Sequence, residues 1–293
     1  MQFDLYMKIL VTGSRGQLGR ELHDILEERL PGCTVYTDAD ELDITDAAAV
    51  EHYMREGDFT HVINCAAYTD VERAEEDKHI CYSINVDGIS NIARHADELG
   101  IKVLHVSTDY VFDGRSCTPY TEGDKVNPTS EYGNTKRRGE TALLGLSPES
   151  IIVRTGWLYS PHGHNFLKTM LRLGAERQEI KVVFDQIGTP TYARDLAEAI
   201  ASMVLTSRWM PGIYHFSNEG TCSWYDFAVD IMEQAGLDCK VIPIRSADFP
   251  SAVSRPPFSV LDKSRIKATY GISIPHWRNG LSRCISRMKS DTV

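Results

Sequence analysis

The sequence has no apolar run long enough to span a bilayer, which argues against a membrane-spanning role. Its opening residues, MQFDLYMKILVTG, lack the basic segment and long apolar stretch of a secretory leader. Met7 stands directly before an apolar strand, so residues 1–6 read either as a short extension or as preceding the true start. Seven cysteines are scattered without a CxxC pair. That pattern argues against a disulfide framework and a zinc site, and for reduced thiols in a cytoplasmic protein. Cationic residues are in deficit: 31 Lys and Arg against 41 Asp and Glu leave a net charge of −10, which argues against nucleic acid as a bulk partner. Internal repeats and low-complexity segments are absent.

What remains is ordinary globular material: 42% hydrophobic and 25% charged residues over 293 positions, enough for one large α/β unit and a smaller lobe. Apolar strands are expected at Lys8–Thr12, Thr34–Thr37, His61–Asn64, Lys102–Val106 and Ser150–Val153. Between them lie helical patterns: Gln17–Leu30, stopped by Pro31-Gly32; Ala47–Glu56, capped by Thr45-Asp46; a long helix Ile80–Leu99, closed by Gly100; and the segment around Tyr132. This alternation over about 150 residues predicts a Rossmann-type, doubly wound parallel sheet. Further on, helices are expected at 192–205 and 223–236, the second capped by Ser223, with a strand at 212–217 and loop over 243–260. The dinucleotide domain is assigned to 1–154 with a return segment at about 186–218. A smaller C-terminal α/β substrate lobe takes 155–185 and 219–293.

The first strand runs into Gly13-x-x-Gly16-x-x-Gly19, with Arg15, Gln17 and Leu18 inside the loop. Glycines at these positions permit a sharp strand-to-helix turn, close approach of backbone to a pyrophosphate, and close packing of helix on strand. Asp38, near the end of the second strand, suits a ribose hydroxyl, whereas Arg15 suits a 2′-phosphate. The cofactor is therefore NADH or NADPH. Asp43 is a candidate for the adenine amino group.

Tyr132 and Lys136 are four residues apart and share a helix face. A phenol beside an ammonium makes a proton donor, because the cation lowers the phenol's pKa. Ser107-Thr108-Asp109, at the end of a preceding strand, could complete a site that polarises a carbonyl or an alcohol.

Several stretches together carry a more specific resemblance: TGSRGQLGREL (12–22), NCAAYTDVERAE (64–75), STDYVFDG (107–114), YGNTKRRGE (132–140), RTGWLYS (154–160), NFLKTML (165–171), DQIGTPTYARDLA (185–197), SWYDFA (223–228) and RPPFSVLDKSRI (255–266). The chain resembles the extended short-chain dehydrogenase/reductase superfamily and, within it, the dTDP-4-dehydrorhamnose reductase family. That resemblance implies reduction of a C4 keto group on a dTDP-bound deoxyhexose, with hydride from NAD(P)H. It implies Tyr132 as proton donor, Lys136 on the nicotinamide ribose, and Thr108 on the substrate oxygen. It implies Cys65, Ala66 and Ala67 along the cofactor. Trp157 is implied beside the sugar, Asp109 and Tyr110 at the sugar or the nicotinamide side, and Asn165 at the substrate phosphate, while Arg255 suits the diphosphate because guanidinium binds oxyanions in a bidentate manner. Asn85 could be structural.

Thr108-Asp109-Tyr110 lacks the glutamate that would follow Asp109 in a sugar-nucleotide dehydratase, which argues against elimination. An epimerase and a non-catalytic, NADP-binding regulatory subunit remain alternatives. Some family members carry interface magnesium held by glutamates. Here Glu21 matches one such position, but the others fall on Arg194 and Arg287, so no metal is expected and a homodimer is left open.

Overall fold

The computed structural model describes residues 7–249, 253 and 255–290. The question about residues 1–6 lies outside the described residues. The first half alternates strand and helix: β1 (Ile9–Thr12), α1 (Gln17–Arg29), β2 (Thr34–Thr37), α2 (Ala47–Glu56), β3 (His61–Asn64), α3 (Lys78–Tyr82), α4 (Ile89–Leu99), β4 (Lys102–Thr108), α5 (Glu131–Leu146) and β5 (Ile151–Thr155). The second half adds β6 (Leu158–Tyr159), α6 (Phe166–Glu176), β7 (Glu179–Val183), β8 (Ile187–Gly188), β9 (Thr191–Tyr192), α7 (Ala193–Val204), β10 (Gly212–His215), β11 (Cys222–Ser223), α8 (Trp224–Ala235), β12 (Lys240–Ile244), α9 (Ser264–Tyr270) and α10 (Trp277–Ser290).

Six strands form one sheet in the order β10-β5-β4-β3-β1-β2, every neighbouring pair parallel. All-parallel strands need both faces covered, which is why β1 and β5 carry unbroken apolar runs at Ile9–Val11 and Ile151–Val153. One face is packed by Leu22, Ile25 and Leu26 of α1 with Leu196 and Ile200 of α7. The other is packed by Val50, Met54, Ile89, Ile92 and Leu143 of α2, α4 and α5. The strand order reverses at β1, which has β2 on one side and β3 on the other. In open parallel sheets this switch point opens a crevice at the carboxyl ends of the strands.

The long helix expected at 80–99 is a correction. Helix begins at Lys78, and Ser83–Gly88 is a π-helical turn between α3 and α4. Asn85 explains it. Its side chain accepts from Tyr68 N at 2.9 Å and donates to Tyr68 O at 3.1 Å, tying the turn to the segment after β3. Asn85 has a structural job. Strands β4 and β5 also run two residues further than their apolar patterns, to Thr108 and Thr155.

A second apolar cluster gathers Tyr159, Leu167, Met170, Ile180, Val182, Tyr192, Phe227, Ile231, Trp277 and Leu281. β12 pairs parallel with β7 from Lys240↔Glu179 to Ile244↔Val183, so part of the stretch expected as loop is strand.

Candidate active site

Gly13 has φ +66°, and a side chain there would put its Cβ 2.6 Å from Ala66 N. Glycine is therefore required twice, for the left-handed backbone and for the approach of the loop to the Cys65-Ala66 segment. At Gly19 a Cβ would sit 2.4 Å from Gly13 O, so α1 can begin this close to β1 only with glycine. Gly16 is the N-cap of α1 and offers no side-chain cap, leaving the first N–H groups of the helix directed outward.

A cleft of about 870 Å³ opens at the switch point. That volume suits a small-molecule or cofactor site. It is lined by Gly13, Arg15, Gly16, Gln17, Leu18 and Gly19 of the loop and by Asp38 and Asp43 beyond β2. Cys65, Ala66 and Ala67 follow from β3, and Thr108, Asp109, Tyr110, Tyr132, Lys136 and Trp157 close the far end. The structure thus brings together on one cleft nearly all the residues singled out from the sequence.

Two are not brought there. Asn165 is the N-cap of α6, accepting from Lys168 N. Its amide nitrogen faces Gln17 Oε1 at 2.9 Å and Ser160 O at 2.9 Å. Its side chain is committed to folding. Arg255 donates to Glu72 Oε1 at 3.2 Å and lies near Tyr110, outside the lining. Sequence reasoning assigned no role to Thr69, Val71, Thr155, Gly156 and His164, which also line the cleft, as does Ser107 of the Ser107-Thr108-Asp109 triplet. The extra turn of β4 and β5 beyond their apolar runs delivers Ser107 and Thr155.

At the end of the cleft beyond β2, Asp38 accepts from Arg15 N at 3.0 Å. The Arg15 guanidinium donates to Asp40 at 2.7 Å and to Glu41. These pairs are exposed and hold the arginine weakly.

At the other end, Ser130 caps α5 by accepting from Gly133 N at 3.2 Å. A Cβ on Gly133 would lie 2.2 Å from Tyr110 O, so this glycine lets α5 start against the backbone after Thr108. Tyr132 then packs edge-on against Tyr110, with ring centroids 5.6 Å apart. Thr108 donates to Asp109 Oδ1 at 3.0 Å and accepts from Tyr110 N at 3.2 Å. Burial pushes the Asp109 carboxyl up to about 6, opposed by hydrogen bonds from Ser259 and Thr108.

One expectation is corrected. Burial raises the Tyr132 phenol above its ordinary range, and the hydroxyl of Thr108 is the main group opposing that rise. Lys136 does not reach the phenol. Its Nζ donates to Val106 O at 2.8 Å and lies 3.1 Å from His105 Nε2. An ammonium that is 1% exposed must take the acceptors within reach, and these are on β4. Burial lowers Lys136 to about 8, with Glu140 the largest opposing charge.

Trp157 adopts φ +51°, a conformation uncommon outside glycine. Its indole stacks on Trp224 with centroids 3.5 Å apart and 6° between planes. A Cβ on Gly188 would meet the same indole at 2.5 Å. Its ring is therefore wedged while its edge lines the cleft.

The residues fit a dinucleotide. The Gly13 cradle is shaped for close backbone approach, and Ser107 Oγ and Thr155 Oγ1 are buried in the lining without a hydrogen-bond partner among the described residues. They do not fit a divalent cation at Glu21. Arg287 donates to Glu21 Oε2 at 2.7 Å and to Asp24 at 2.6 Å, and Arg194 stands 3.6 Å from Glu21. Guanidinium charge occupies that carboxylate.

Comparison with known proteins adds the family. The model of the RmlD substrate-binding domain matches residues 7–290. The chain belongs to that family. A dTDP-4-dehydrorhamnose reductase of Aggregatibacter actinomycetemcomitans is 41% identical over 94% of this chain and 97% of its own length. A Clostridium acetobutylicum dTDP-4-dehydrorhamnose reductase structure superposes with a TM-score of 0.93 at 43% identity, covering 97% of this chain and all of that one. One from Bacillus anthracis, solved in complex with NADP, gives 0.93 at 38% identity over 97% of this chain and all of its own. As a member of the RmlD family, the chain shares its parallel dinucleotide-binding sheet and its oxidoreductase character.

Proposed function

We propose that the chain is an NAD(P)H-dependent reductase that converts dTDP-4-dehydro-L-rhamnose to dTDP-L-rhamnose, the last step of dTDP-rhamnose synthesis. The observation that carries this reading is Thr108, Tyr132 and Lys136 lining one end of a cleft whose other end is the Gly13–Gly19 loop. Gly13, Gly16 and Gly19 with the start of α1 would hold the pyrophosphate. Asp38 and Arg15 would meet the adenosine ribose, and Cys65, Ala66 and Ala67 would flank the middle of the dinucleotide. When bound, the reduced nicotinamide supplies the hydride.

Tyr132 delivers its proton to the C4 oxygen as general acid. Its raised pKa keeps the phenol protonated, and therefore able to donate, through neutral pH. Thr108 would bind the same oxygen by turning its one hydroxyl proton from Asp109 Oδ1 to the substrate. Lys136 would offer its ammonium to the nicotinamide ribose. Trp157 bounds the sugar, and Arg255 reaches the diphosphate by releasing Glu72. The apolar cluster around Phe227 and Trp277 supports a substrate lobe at 155–185 and 219–293, with Tyr192 of the return segment joining it. Free thiols at all seven cysteines suit a cytoplasmic enzyme.

The test is oxidation of NADH or NADPH with dTDP-4-dehydro-L-rhamnose, with product identified by NMR. Tyr132→Phe should bind cofactor normally and turn over at least about 100-fold more slowly, the lower range for loss of a general acid. Normal turnover by that variant refutes the assignment of the acid. Binding without turnover in the parent chain points to a regulatory subunit. An epimeric product without net cofactor consumption points to an epimerase.

A further inference from the structure

Thr12, Asn64 and His105 form a polar row inside the sheet. Thr12 is the register partner of Asn64, and Asn64 of His105, on the adjacent strands β1, β3 and β4. Each is 1% exposed. Thr12 Oγ1 donates to Asn64 Oδ1 at 2.6 Å, and Asn64 Nδ2 lies 2.8 Å from His105 Nδ1. The row begins one residue before Gly13 and ends on Lys136, whose Nζ is 3.1 Å from His105 Nε2. Burying polar groups in place of valine or isoleucine costs stability unless every partner is satisfied, so a fully connected row in a core sheet needs a reason.

The reason lies in donor geometry. An ammonium has three N–H donors and no acceptor. One goes to Val106 O and one to His105 Nε2, and both partners belong to β4. Tetrahedral geometry then directs the third away from the sheet, toward the cleft that Lys136 lines. For a charged lysine, His105 Nε2 must accept, so Nδ1 carries the proton. As it stands, Asn64 presents Nδ2 to His105 Nδ1 and takes the Thr12 hydroxyl on Oδ1, so this tautomer requires a half-turn of the amide, after which Oδ1 accepts from His105 Nδ1–H and Nδ2 donates to Thr12 Oγ1. Burial and the nearby ammonium keep His105 far below its ordinary pKa, hence neutral and able to accept.

We infer that His105 is a positioning residue of the reaction: backed by Asn64 and Thr12, it holds the Lys136 ammonium charged and aimed into the cleft. The inference rests on the reading of Lys136 given under the proposed function. The other titratable groups around Lys136 are Glu140 on its own helix, Cys65 after β3 and Cys81 on α3. Glu140 is already paired with Arg154, and burial raises both thiols and keeps them neutral. Of these neighbours, His105 alone hydrogen-bonds Nζ.

The test is the pH dependence of kcat from pH 6 to 10 for the parent, His105→Leu and His105→Gln. Losing a hydrogen bond to a charged group should move the alkaline limb of the leucine variant down by about one pH unit. Its KM for NAD(P)H should rise while that for the sugar nucleotide holds. Glutamine can accept through Oε1 and should return the limb close to its original position. A merely structural histidine would lower activity without moving the limb, and a leucine variant with the parental limb overturns the inference. If leucine does not fold, His105→Asn, too short to reach Nζ, replaces it against the same glutamine control. Parental turnover by Lys136→Met would instead defeat the reading of the site itself.

Discussion

Lys136→Met should make the protein inactive yet no less stable at pH 7, with a stability difference that changes sign with pH. Burial takes the lysine from 10.5 to about 8. At about 1.4 kcal/mol per pH unit, keeping the buried ammonium charged costs about 3 kcal/mol of folding free energy at neutral pH. Methionine has similar length and no charge, so it recovers that cost. It also abandons Val106 O and His105 Nε2, at about 1 kcal/mol each. The variant should therefore be about 1 kcal/mol more stable at pH 7. Above pH 8 the folded parent sheds the proton while its unfolded chain keeps it, so the parent gains about 1.4 kcal/mol per pH unit up to about 10.5. By pH 9.5 that gain is about 2 kcal/mol, and the variant should be the less stable by about 1 kcal/mol. Urea unfolding of both proteins at the two pH values reads the difference directly, and shared titrations cancel. An equal stability difference at pH 7 and pH 9.5 would refute the claim that burial depresses this lysine.

Two further outcomes follow from the structure. Asp38→Asn should raise the ratio of kcat/KM for NADPH over NADH about tenfold or more, because like charges about 4 Å apart near a protein surface repel by up to ~4 kcal/mol. Initial rates with both cofactors check this, and an unchanged ratio removes Asp38 from the ribose subsite. Glu140→Ala should cost about 3–5 kcal/mol in urea unfolding by stranding Arg154, which is 3% exposed and held at 2.7 and 2.8 Å. The double replacement Glu140→Met with Arg154→Met should regain most of that loss; a single variant within 1 kcal/mol of the parent would mean the pair does not anchor α5.

The parallel sheet was legible because its strands are short apolar runs punctuated by local signals. Asp46 and Ser223 cap their helices as expected, and Ser223 forms a reciprocal box with Asp226. The π turn at Ser83–Gly88 was not legible, because it depends on Asn85 reaching Tyr68, which is 17 residues away in sequence. Gly139 has a similar hidden purpose: a Cβ there would lie 2.2 Å from Asn85 O, so α5 needs glycine to pack on that turn. The pairing of β7 with β12 links 179–183 to 240–244 and leaves no local trace. In the cleft, spacing correctly put Tyr132 and Lys136 on one face. It could not say where the ammonium points, because that depends on Val106 and His105 on another strand. Asn165 misled for a related reason. A helix cap and a phosphate ligand use the same amide, and only its hydrogen bonds tell them apart.

The contact of Arg287 with Glu21 bears on how the chain is made. The two are 266 residues apart, and the Glu21 side chain is fully buried. At about 5–20 residues per second, a ribosome takes tens of seconds to bridge that gap. Until then the first helix behind the dinucleotide loop carries a carboxylate whose burial is opposed by desolvation. Arg194, 3.6 Å away in the finished fold, reaches it earlier and gives partial neutralisation. The apolar face of α1 can pack on the sheet and α7 earlier, but the full neutralisation of Glu21 waits until α10 is synthesised. Nascent chains stalled before residue 287 should therefore hold α1 less firmly than the full chain, with Arg194 but not Arg287 facing Glu21.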